Sequence, residues 1–111
     1  MIEINILKDF AESTGGRLRK NGKNSGEAFR EDILLPKVKE AINKNIKIYI
    51  DLDGGYGHGS SFLEEAFGGM IRKLNKEEAE YIFNNIEIKS LDEPRKKEDI
   101  FKYMKDELNN K

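Results

Sequence analysis

Ile46-Lys47-Ile48-Tyr49-Ile50-Asp51-Leu52-Asp53-Gly54-Gly55-Tyr56-Gly57-His58-Gly59-Ser60-Ser61-Phe62-Leu63-Glu64-Glu65-Ala66-Phe67-Gly68-Gly69 reads, in order, as a strand, a turn and the start of a helix. From 46 to 53 apolar and polar residues alternate and isoleucine recurs, the pattern of a central or half-buried strand. After Ser61 the apolar residues Leu63, Ala66, Phe67, Met70, Ile71 and Leu74 fall at helical spacing, so one face points inward. Ser61 and Glu64 stand three apart, as in a capping box, a device that stabilises a helix start by about 1 kcal/mol. The turn between carries glycines, carboxylates, the only histidine and two adjacent hydroxyls, which makes it a display loop. Ser60 and Ser61 thus sit where a strand hands over to a helix dipole, a place where open α/β sheets bind ligands and where added negative charge is tolerated. Capping accounts for Ser61 and leaves Ser60 without a structural task.

Outward from this stretch the same alternation of elements continues. Ile2, Ile4 and Ile6 alternate with polar residues as a first strand, and Gly15-Gly16 opens a turn. Arg17-Leu18-Arg19-Lys20 reads as a short strand ended by Asn21-Gly22. From Ser25 the residues Phe29, Ile33, Leu34, Val38, Ala41 and Ile42 share a helical face, with Asn24 and Glu27 spaced as a capping box. Pro36 removes an amide inside that helix, predicting a kink or break near Leu34-Leu35. Downstream, Asn75 and Glu78 cap a short helix, Ile86 to Lys89 alternates as a strand, and Asp92-Glu93-Pro94 stops it. Ile100, Phe101, Met104 and Leu108 form the stripe of a terminal helix whose tail should fray. Strands alternating with helices predict an α/β fold with parallel βαβ units, in one domain spanning 1–111.

Composition narrows the function. Charged and hydrophobic residues each make up 37% of the 111 residues and the formal net charge is −1, so total charge gives no pull toward nucleic acid or an anionic membrane. The absence of cysteine excludes disulfides, thiolate metal sites and cysteine nucleophiles. No apolar run reaches the roughly 18–20 residues needed to cross a bilayer, and the first residues lack a signal-peptide layout, so the chain reads as cytoplasmic.

Four stretches together carry a family resemblance: Gly15-Gly16-Arg17, Ser25-Gly26-Glu27-Ala28-Phe29-Arg30, the strand end Leu52-Asp53-Gly54, and Ser60-Ser61-Phe62-Leu63-Glu64-Glu65-Ala66-Phe67-Gly68-Gly69. They resemble the STAS-like family of unknown function, related to the STAS fold of the anti-sigma factor antagonists. The resemblance implies a small mixed β-sheet packed with about four helices. It also implies a regulatory protein-binding module that is not an enzyme, with a kinase of the histidine-kinase-like ATPase superfamily as its partner. Ser60 falls where those antagonists carry their phosphorylated serine. The chain has Gly59 where their motif has aspartate and Phe62 where it has glycine.

The expected docking surface is the loop and helix at 54–69, with Asp53, Tyr56, His58, Ser60, Ser61, Phe62, Glu64 and Glu65 as contact residues and Ser60 and Ser61 as phosphoacceptors. His58 beside Asp51, Asp53, Glu64 and Glu65 lacks the paired spacing of a zinc site or the separated supports of a Ser/His/Asp relay. It is therefore expected as an exposed loop residue, with no catalytic residue, metal ligand or cofactor assigned. A second reading uses the glycine-rich segments Gly15–Gly26 and Gly54–Gly59 as a cradle for a nucleotide or other anion, with Arg17, Arg19, Lys20 and Lys23 supplying charge. A third makes the same four cations a nucleic-acid contact. Gly68-Gly69 inside a helix implies close approach of another backbone, either from the helix after Ser25 or from a second copy in a homodimer.

Overall fold

The computed structural model describes all 111 residues. Three strands, β1 (Ile2–Asn5), β2 (Ile48–Asp51) and β3 (Ile86–Lys89), form one sheet in the order β1-β2-β3. Both pairings are parallel, with Ile2, Ile48 and Ile86 in one row and Ile4, Ile50 and Ile88 in the next. The sheet is thus wholly parallel where a mixed one was expected. Each strand is followed by helix, which returns the chain to the same end of the sheet before the next strand starts. The isoleucine rows face the core, while the opposite face carries Glu3, Tyr49 and Glu87 and then Asn5, Asp51 and Lys89, none of them buried.

Five helices accompany the sheet, one more than expected. The additional one, α1 (Ile6–Asp9), is a single turn that Asn5 caps by accepting the Lys8 amide. α2 spans 26–44 and contains a π segment, Arg30–Leu34, between α-helical Gly26–Phe29 and Leu35–Lys44. Its cap is Ser25, not Asn24: the Ser25 hydroxyl accepts the Ala28 amide at 3.0 Å, and the Glu27 carboxylate takes the Arg19 amide instead. The disturbance expected from Pro36 is present as a widened turn, in which the Leu35 amide reaches back to the Arg30 carbonyl, and the helix continues through it.

α3 spans 60–73, again with a π segment, Glu64–Gly68, between Ser60–Leu63 and Gly69–Lys73. α4 (Lys76–Asn85) has the reciprocal Asn75–Glu78 box read from the sequence, at 2.8 and 3.0 Å. α5 (Pro94–Asn109) begins at the proline that ends the preceding turn, since proline fits the first helical position. One cluster of 22 buried residues joins the isoleucine face to α2, α3, α4 and α5, with Phe29, Phe62 and Phe67 at its centre.

The segment Arg17-Leu18-Arg19-Lys20 is not a strand. A 3₁₀ turn covers Arg19–Asn21, and the carbonyls of Gly16 and Arg17 accept the amides of Gly26 and Glu27. The segment is stitched to the start of α2, which leaves it no partner strand. Gly69 owes its place to α2: a Cβ there would stand 2.5 Å from Nη1 of Arg30. At Gly68 the near atoms belong to the Glu64 and Arg72 side chains, so the crowding comes from side chains of the same chain and not from the neighbouring backbone that was expected.

Candidate functional site at the carboxyl edge of the sheet

Two loops leave the carboxyl ends of β2 and β3 side by side, over 52–59 and 90–93. Carboxylates hold them together. Asp51 accepts the Asp53 amide at 2.9 Å, Asp53 accepts the amides of Leu91 and Asp92 at 3.0 and 2.9 Å, and Asp92 accepts the Gly54 amide at 2.9 Å. Burial pushes the Asp53 carboxyl upward, but the Asp92 and Leu91 amides and the nearby Lys89 ammonium outweigh it, so the group lies below its ordinary value. Asp53 therefore braces the loops and is not a free contact residue.

Glycine is required at the tip. Gly55 has φ 70° and a Cβ there would collide with the Glu12 carbonyl, which already accepts the Tyr56 amide at 3.1 Å. Gly57 has φ 89°, and a Cβ there would lie 2.7 Å from the Glu93 carboxylate. The loops enclose a cleft of about 340 Å³ whose charged lining is acidic, from Asp53, Asp92 and Glu93. None of Arg17, Arg19, Lys20 and Lys23 lines it.

His58 was expected on the surface and is instead buried, 9% exposed. Nε2 lies 3.0 Å from the Leu52 carbonyl and so donates, Nδ1 lies 2.9 Å from the Thr14 hydroxyl, and the ring stacks on Phe62. The imidazole ties the end of β2 to the 11–14 loop. Phe62 is likewise displaced from the expected surface. It is fully buried among Phe10 and Phe29, because the helix turns that side to the core.

Tyr56, Ser60 and Ser61 are exposed, Tyr56 to 80%. α3 starts at Ser60 with Gly59 as its N-cap and no side chain capping it, so the expected box between Ser61 and Glu64 does not form. Glu64 is drawn away by arginines. It pairs with Arg17 and, at 2.7 Å, with Arg72, whose second partner is Glu107 at the same distance. Arg72 first, and Arg17 after it, hold the Glu64 carboxyl below its usual value against the opposing effect of burial. Glu65 pairs with buried Arg30 and, at 3.4 Å, with Arg17. Both glutamates are thus engaged within the chain.

The four candidate cations divide. Arg17 is held by Glu64 and Glu65, and Arg19 by Glu31 and Asp32, both at 2.9 Å, which raises both guanidinium groups above their ordinary value through those hydrogen bonds. Lys20 and Lys23 are exposed and take part in no ion pair. The histidine and the four carboxylates near it in sequence do not converge: Asp51 and Asp53 face Lys89, Glu64 and Glu65 share Arg17, and His58 meets Thr14 and the Leu52 carbonyl. Sequence reasoning missed Thr14, Arg30, Arg72, Leu91 and Asp92. Of these, Arg30 stood only within a family motif and Asp92 only within a turn, while Leu91, an apolar residue inside a polar turn, proves 73% exposed.

No curated protein and no solved structure matches the chain. The family described as a STAS-like domain of unknown function matches residues 25–96, which take in α2, the central strand, the display loop, α3, α4, β3 and the beginning of α5. With two of the three strands, three whole helices, the braced loop and the two exposed serines inside that span, which is well over half of the chain, the chain belongs to the family of STAS-like domains.

Proposed function

We propose that this chain is a non-enzymatic regulatory module that docks a protein partner through the loop and helix at 54–69. The partner proposed is an ATP-binding kinase of the histidine-kinase-like class, and Ser60 or Ser61 accepts phosphate from it. The kind of partner follows from the resemblance to the anti-sigma factor antagonists. One observation carries the reading: two adjacent hydroxyls stand exposed at the start of α3, neither used as its cap, beside exposed Tyr56. The support beneath them is braced by Asp53, Asp92 and His58, so little ordering remains to be done when a partner binds.

In the transfer, a serine oxygen attacks the terminal phosphorus of ATP held by the partner. An O–P bond forms, the bond to the β-phosphate oxygen breaks, ADP leaves, and the hydroxyl proton passes to a base on the partner. The surface then carries about −1.5 to −2 additional charges, enough to eject a partner that fits the unmodified face. The anion-cradle and nucleic-acid readings have less support, because Arg17 and Arg19 are already neutralised and the cleft is lined by carboxylates.

The test is recovery of partners by the tagged chain from its own cells, with the intact mass of the recovered chain. Retention of an ATPase is expected, weakened at least tenfold by Tyr56→Ala or by Ser60→Glu with Ser61→Glu, and unaffected by Lys20→Ala. A phosphate-sized mass increment on either serine is the second expected result. Equal retention by the alanine and glutamate variants of both serines would remove the switch.

A further inference from the structure

We propose that Ser61 is the serine that matters for the switch and that Arg17 is its phosphate receptor, released from Glu64 and Glu65 when the phosphate arrives. This rests on the regulatory reading above and adds to it the residue that senses the modification.

A helix advances about 100° per residue, so Ser61 lies on the same face as Glu64, three residues on, and Glu65, four residues on. Ser60 neighbours Glu64 alone, four residues on, so only Ser61 adjoins both glutamates that hold Arg17. Arg17 reaches both glutamates with a single nitrogen, Nη1, closer to Glu64 than to Glu65, on the helix face that carries Ser61 one turn earlier. The start of α2 runs along this same side: a Cβ on Gly26 would meet the Phe62 carbonyl at 2.5 Å and the Glu65 Cβ at 3.0 Å.

The exchange strands no charge. Glu64 keeps Arg72 at 2.7 Å, and Glu65 keeps Arg30, so either carboxylate can lose Arg17 and stay paired. Arg17 is also the most accessible of the three arginines on these glutamates, its side chain 40% exposed against 37% for Arg72 and 5% for Arg30. A guanidinium offers a planar fork that matches phosphate, and a phosphate dianion outbids a carboxylate already served by a second arginine. Because the Gly16 and Arg17 carbonyls accept the first amides of α2, moving Arg17 toward Ser61 pulls on the start of that helix. A charge added at one surface position is thereby passed to a second element.

The experiment uses the full chain with phosphoserine incorporated during synthesis at 61 or at 60, each with Arg17 or with Arg17→Gln. Phosphorus NMR follows the second ionisation of the phosphate. With phosphoserine at 61, Arg17 is expected to lower that pKa by about half a unit or more relative to Arg17→Gln, since an adjacent cation favours the dianion. With phosphoserine at 60, which adjoins only one of the two glutamates, the Arg17 effect should be clearly smaller. Arg17→Lys, which keeps the charge and loses the fork, should fall between and provides a second variant should the glutamine form fold poorly. Identical titrations with and without Arg17 at position 61, or an equal response at position 60, would overturn the proposal. No partner is present in this measurement. An Arg17 effect without any recovered ATPase would sustain the receptor and refute the docking reading, and the converse would do the opposite.

Discussion

Arg30 is 4% exposed, bonds the Glu65 carboxylate and its carbonyl, and leaves Nε without a partner. Arg30→Ala leaves the Glu65 carboxylate with Arg17 alone, at 3.4 Å, and empties a buried volume, so it should cost about 3 kcal/mol, read as a lower urea midpoint. Arg30→Met combined with Glu65→Leu should recover much of that loss, because a packed apolar pair of similar volume avoids desolvation altogether. Asp53 and Glu64 set the acid response. Both carboxyls lie below their unfolded values in the folded chain, so the stability they contribute is complete above the ordinary carboxylate range and is lost as pH falls through their lower folded values. The urea midpoint should be level from about pH 7 to 5 and fall below about pH 4, with Asp53→Asn showing a lower plateau and a shallower fall.

At the level of elements, the true caps differ from those that spacing suggested. Ser25→Ala removes a buried cap and should cost about 1 kcal/mol, whereas Ser61→Ala, at an exposed hydroxyl that caps nothing, should change stability by less than about 0.5 kcal/mol. Denaturant curves of the two variants separate these outcomes. Gly55→Ala should cost more than about 1 kcal/mol, since it meets both a positive φ and the Glu12 carbonyl.

Three strands and four of the five helices were legible as periodicity, because the sheet and the long helices each bury one face and betray it by spacing. The π segments were only half legible: Pro36 announced the disturbance in α2, but the one in α3 has no proline. The site was legible where local rules act, at the glycine loop and the exposed serines. It was obscure where distant side chains decide. Nothing near Glu64 in sequence names Arg17, and nothing near His58 names Thr14, so one box failed to form and one histidine turned inward.

For the molecule as a whole, exposed apolar surface is concentrated at one end. Of the three large hydrophobic side chains left exposed, Tyr56 and Leu91 stand on the two cross-braced loops, and the third is Met1. The same edge carries Ser60 and Ser61, so a partner that docks there would meet apolar contact and the modifiable hydroxyls together. Tyr56→Ala with Leu91→Ala should then weaken partner retention at least tenfold while leaving the unfolding free energy from urea curves within about 0.5 kcal/mol, the usual range for surface changes.

The parallel sheet has its own consequence for how the chain reaches this state. No strand has its neighbour in the sheet next to it along the chain: β1 waits for β2, and β2 for β3, across whole helices. There is no hairpin that could assemble early and survive alone, and every pairing carries a long loop-closure penalty. Stopped-flow refolding should therefore be slower than that of helical bundles of equal length. A fragment ending at residue 85, deprived of its last strand and C-terminal helix, should remain unstructured rather than form two-thirds of the sheet.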